Sequence, residues 1–169
     1  MSLVNGLPAH VLLVHFVVVL VPLTALALVV CAIWPEAARR LGVALPSLAL
    51  VTLVSVPLTS NAGEWLEGHV ADDALVRRHA ELGDGLLPWA GGLFVLAVAL
   101  WWKVGRTTAS GDSDVSRRPA TPVRVAAAVL TLVVAAGAVV DVYRIGDSGA
   151  KAAWHDGYSK TASHGGDED

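Results

Sequence analysis

The chain has 169 residues, of which 54% are hydrophobic and 16% charged; its net charge is −3 and its mean hydropathy +0.59. Soluble domains carry about 25% charged residues, so this composition excludes an ordinary soluble domain. The near-neutral charge, without a basic patch, gives no footing for nucleic acid.

Four apolar runs are long enough to cross a hydrocarbon core, which takes about 20 helical residues. They are Leu7–Trp34, Leu41–Ser60, Leu86–Trp102 and Val123–Tyr143. No basic segment precedes the first run, and it is longer than a signal-peptide core, so it is expected to remain as a helix. Pro22 and Pro57 fall inside spans, where neighbouring helices can satisfy the freed carbonyls. Cys31 reads as a small packing residue, since a lone cysteine has no internal partner. Small residues recur in the fourth run (Ala126–Ala128, Ala135–Ala138), which allows close helix approach. The expected fold is all-α, a four-transmembrane-helix bundle over residues 1–154. Residues 155–169 read as a flexible tail, and Thr107–Thr121 has a loop composition.

Lysine and arginine set the orientation. The first and third loops hold Arg39, Arg40, Lys103, Arg106, Arg117, Arg118 and Arg124. The second loop and the C-terminal segment hold Arg77, Arg78, Arg144, Lys151 and Lys160. Seven against five places both termini on the outer side. Trp34, Trp101 and Trp102 then mark the inner interface, and Trp65, Trp89 and Trp154 the outer one. Residue usage, rich in alanine, valine and arginine, resembles that of a high-GC bacterium, so the expected location is a bacterial plasma membrane.

On this topology all six histidines lie toward the outer side. Counting back from the inner tryptophans at 1.5 Å per residue, His15 lies about 28 Å and His10 about 36 Å away. His79 lies about 34 Å from Trp102 if the third helix begins near residue 73, capped by Asp72 or Asp73, and passes Gly83 and Gly85. His10, His79 and Glu64 then share an upper layer, with His15 and Asp141 below. His15 stands among aliphatic residues, where an ionisable group usually faces the bundle interior; the plainer reading is a neutral ring bonded to a helix carbonyl. His10 and His15 point about 140° apart on one helix, so they do not grip one ion together. His79 reads equally as an exposed residue of an amphipathic segment, and Asp141 as a partner of Arg144. His69, His155 and His164 read as solvated.

The opening LPAHVLLVHFVVVL (Leu7–Leu20) resembles that of a bacterial four-helix membrane family, domain of unknown function two-two-three-one. His79 in RRHAELG, before the third span, and the glycine-rich RIGDSGAKAAW (Arg144–Trp154) are similar to the family pattern. The resemblance covers the chain through Trp154. This chain departs where the family often has proline after each N-terminal histidine motif: Val11 follows His10, and Val17 follows Phe16. Asp147 stands where the family often has histidine, so a ligand at that position in relatives would be missing here. The resemblance implies an integral membrane protein, sometimes linked with redox modules such as Rieske or cytochrome c domains.

Three functions follow. The first is one b-type haem or redox site, with His10 and His79 as axial ligands, His15 nearby and Arg77 and Arg78 pairing with propionates; membrane redox proteins would be its partners. The second is a divalent metal site (Zn, Cu or Fe) built from His10, His79 and Glu64. The third is a non-catalytic accessory or scaffold subunit. No nucleophile elbow, HExxH, P-loop or dinucleotide fingerprint occurs, which argues against soluble-type enzymology and supplies no catalytic residue.

Overall fold

The computed structural model describes residues 3–4, 6–70, 73–109 and 121–154. Two two-residue strands, β1 (Leu3–Val4) and β2 (Leu7–Pro8), pair antiparallel, with Leu3 opposite Pro8. Helix α1 (Ala9–Ile33) follows and ends where the chain dictates. A residue before proline is pushed out of the helical region. Trp34, before Pro35, is extended at φ −111°, and Pro35 opens α2 (Pro35–Leu41) from the first helical position, where its missing N–H costs nothing. Gly42 closes α2 at φ +49°, a left-handed conformation that suits glycine.

Helix α3 (Ala44–Glu67) runs past Ser60 for two further turns. The short helix α4 (Ala74–Asp84) starts on Asp73, whose carboxylate accepts from the Leu75 N–H at 3.2 Å. Only Gly85 separates α4 from α5 (Leu86–Ala109), and its backbone stays right-handed helical at φ −64°, ψ −19°. The last helix, α6 (Thr121–Trp154), continues eleven residues beyond Tyr143. Residues 107–109 thus extend α5 and Thr121 opens α6; the rest of the expected loop and the expected tail over 155–169 lie outside the described residues.

Four helical stretches are long and apolar enough to cross a membrane: Ala9–Ile33, Ala44–Glu67, Ala74–Arg106 (α4 and α5 together) and Pro122–Trp154. They form an all-helical bundle in which α1 packs on α3 and α6, α5 on α3 and α6, and α4 on the C-terminal part of α6. The buried residues recur every three or four positions: Val17, Val21, Ala25 and Leu28 on α1; Leu86, Ala90, Leu93 and Ala97 on α5; Ala135, Ala138, Val142 and Ile145 on α6. That spacing draws one inward stripe per helix. The outward faces are equally apolar, with Val19, Leu26, Val95 and Leu132 exposed, as a lipid solvent requires. Cys31 is buried in this core.

The buried threonines are paired along and between helices. Thr24 on α1 and Thr52 on α3 are fully buried, and their hydroxyls meet at 2.7 Å. Because the Thr52 hydroxyl donates to the Leu48 carbonyl at 2.9 Å, Thr24 is the donor across the interface. The half-buried indole of Trp89 packs its six-membered ring against Gly137 of α6.

Candidate functional site

The ends of the bundle that carry the described N-terminus, the α3–α4 connection and the C-terminal part of α6 lie together, and two histidines knit them. His10, in the first turn of α1, reaches across to α3, where its Nδ1 donates to the Thr59 carbonyl at 3.0 Å. His79, on α4, reaches across to α6, where its Nδ1 is 3.1 Å from the Ile145 carbonyl and 3.0 Å from the Ser148 hydroxyl. Ser148 itself donates to the Ile145 carbonyl at 2.8 Å, so its oxygen is free to accept the imidazole proton. The two rings then meet each other edge to face, with centres 6.1 Å apart and planes at 82°.

A carbonyl only accepts, so the proton of each ring sits on Nδ1. The lone pair of each neutral imidazole is therefore on Nε2. Histidine ligands of metals commonly show this arrangement, one nitrogen held by a carbonyl and the other left for the ion. Both rings line a cavity of about 180 Å³ together with Glu64, Glu67, Asp84, Thr59 and Ile145. At about 30 Å³ per water, that volume matches a small hydrated group. Glu64 is exposed at the mouth, directly after Gly63. Among the described residues, no three histidine, cysteine or carboxylate side chains already converge as a closed metal shell.

The remaining candidates separate from this pair. His15 faces outward, its Nδ1 bonded to the Val11 carbonyl of its own helix at 2.6 Å, which corrects the expectation that it points into the bundle. The helical phase explains the difference: with His10 turned inward, His15 must turn away. Asp141 shares no hydrogen bond with His15. It faces the α4–α5 junction, where a Cβ on Gly85 would stand 3.6 Å from Oδ2, and this buried oxygen is without a hydrogen-bond partner. Arg77 and Arg78 line a separate shallow groove on α4 with Glu81, and neither lines the histidine cavity. His69 is exposed, stacks on Trp65 with ring centres 4.0 Å apart and bonds the Trp65 carbonyl at 2.7 Å. His155 and His164 lie outside the described residues.

Sequence reasoning reached the two histidines but missed what holds them. Thr59, Gly63, Ile145, Ser148 and Gly149 form their surroundings, mostly through backbone. The signal available was the glycine-rich segment RIGDSGAKAAW, which carries three of them.

A family model described as "Predicted membrane protein (DUF2231)" matches residues 6–162. No curated protein and no solved structure matches the chain.

Proposed function

We propose that this chain, which belongs to the DUF2231 family of predicted membrane proteins, binds a divalent transition-metal ion at the outer rim of its bundle through His10 and His79. One observation carries the reading. Among the described residues, these two histidines alone send Nδ1 to a carbonyl of a different helix, and their rings come within 6.1 Å of each other beside one cavity. With a metal–nitrogen bond of about 2.0–2.1 Å and roughly another ångström from nitrogen to ring centre, two imidazoles on one ion lie about 5–6 Å apart. The observed spacing of 6.1 Å lies just above that range, and the edge-to-face rings must turn to bring both Nε2 atoms onto one ion. Glu64 supplies a carboxylate third ligand from the cavity mouth, and water completes the shell. Imidazole with carboxylate suits Zn(II), Cu(II) or Fe.

A haem between the same two histidines is the second reading, favoured only by their ring spacing. The cavity of about 180 Å³ lies below the roughly 300–1,000 Å³ of small-molecule sites. Arg77 and Arg78 open onto a different groove, where they do not meet a propionate in this cavity. The residues present therefore fit an ion better than a macrocycle. A purely structural role, two histidines acting as interhelical ties, is the remaining alternative.

Titration of the purified protein in nanodiscs with Zn²⁺ distinguishes these readings. The expected result is one site per chain, lost in His10→Ala and in His79→Ala and weakened in Glu64→Gln. Equal Zn²⁺ binding by wild type and the His10→Ala/His79→Ala double variant would remove the metal reading. A Soret band in the protein as isolated would replace it with haem.

A further inference from the structure

The two histidines are received in the same way on two different helices. Thr59 and Gly63 are four residues apart on α3, and Ile145 and Gly149 are four residues apart on α6. His10 bonds the Thr59 carbonyl and lies over Gly63, where a Cβ would stand 3.1 Å from both Nδ1 and Cε1. His79 bonds the Ile145 carbonyl and lies over Gly149, where a Cβ would stand 2.9 Å from Cε1 and 3.2 Å from Nδ1.

Helix geometry explains the spacing. The carbonyl at position i already accepts the N–H of position i+4, so an incoming donor must come to its second lone pair; on Ile145 the imidazole shares that lone pair with the Ser148 hydroxyl, whose oxygen is a second acceptor for it. The donor approaches that lone pair beside the i+4 residue, where a Cβ would crowd the ring and force it to shift. Glycine at i+4 opens the approach. The requirement is local: a Cβ on Gly146, also on α6, would meet nothing within 4 Å.

We propose that Gly63 and Gly149 are positioning residues. Each forms, with the carbonyl four residues earlier, a seat that holds one imidazole as the Nδ1–H tautomer and leaves its Nε2 as the free donor. The two seats together preset a two-nitrogen site selective for ions that take imidazole, Zn(II) or Cu(II), over oxygen-seeking Mg²⁺ and Ca²⁺. The selectivity clause rests on the metal reading above; the tautomer clause does not.

The test combines ¹⁵N NMR of histidine-labelled, metal-free protein with Zn²⁺ titration of Gly63→Ala, Gly149→Ala and the control Gly146→Ala. In wild type, His10 and His79 are expected to carry the proton on Nδ1. Each alanine at a seat should shift its own histidine toward the tautomer mixture of a solvated imidazole. It should also weaken Zn²⁺ binding by roughly 10–100-fold, the usual cost of losing a ligand's supporting contact. Gly146→Ala should match wild type in both. Wild-type rings protonated on Nε2 would overturn the proposal, and that spectrum decides the tautomer whether or not any variant folds. Seat variants indistinguishable from Gly146→Ala would overturn it as well, even with Zn²⁺ binding intact. Seated tautomers in a wild type that binds no Zn²⁺ would uphold the seats and remove the metal reading.

Discussion

At the scale of single residues, what a histidine bonds to separates structural from candidate functional roles better than where it falls in the sequence. His15 and His69 turn Nδ1 back onto their own helices, at Val11 and Trp65, and gain nothing from the bundle. His10 and His79 reach across to neighbours. His15→Leu should therefore leave Zn²⁺ affinity within about twofold, and it should raise resistance to detergent unfolding, because a polar ring on a lipid-facing surface is costly. At the opposite end of the bundle, Glu36 on α2 pairs with Arg39 at 3.1 Å and Arg40 at 3.3 Å. Hydrogen bonds from Arg40, then from Arg39, hold its carboxyl below the ordinary glutamate range. A lowered folded-state value means the pair contributes above the ordinary carboxyl pKa and loses its contribution as pH falls through the folded one. The pair is fully exposed, so that contribution is small. In an Arg39→Ala/Arg40→Ala variant the Glu36 titration, followed by carboxyl NMR, should move upward to the ordinary range.

Among the elements, the α5–α6 contact includes one closely complementary pair. Trp89 fills the space that Gly137 leaves, and a Cβ there would overlap the indole's six-membered ring. Gly137→Ala should cost about 1–3 kcal/mol, the usual range for overpacking. It should also shift Trp89 emission as the ring is expelled toward lipid or water. Helix ends were the part of each element that hydropathy did not disclose. The apolar runs mark where a helix must cross lipid, but α3 continues through Asn61–Glu67 and α6 through Arg144–Trp154 on polar residues that hydropathy ignores. The second continuation carries the whole His79 seat, Ile145 and Gly149, and the first carries Gly63, four residues past the acceptor Thr59. The acceptors there are main-chain carbonyls, which leave no signature in side-chain sequence; only the glycines at 63 and 149 hint at them. The inward turn of His10 against the outward turn of His15 was contained in their five-residue spacing, but which of the two faced inward was decided by packing.

For the whole molecule, four crossings return both ends of the described chain to one side, the side that holds the histidine pair. The balance of lysine and arginine leads one to expect that side outside. A C-terminal alkaline phosphatase fusion should accordingly be active, and a cytoplasm-dependent fluorescent fusion dark; the reverse pattern would invert the topology. Position along α6 carries a further consequence. Exposed Arg124 and Arg144 stand 20 residues apart, close to the length of helix that crosses the hydrocarbon core. The acceptor carbonyl of Ile145 and the glycine at 149 come after Arg144, so His79 is held at or beyond the edge of the oil. A charge feels the membrane potential, about 2.3 kcal/mol per 100 mV, only to the extent that it crosses the membrane. Zn²⁺ affinity in proteoliposomes should thus be the same with and without a potassium-diffusion potential. On the proposed metal reading, loading of this site would be electrically silent, a quayside berth rather than a lock in the canal.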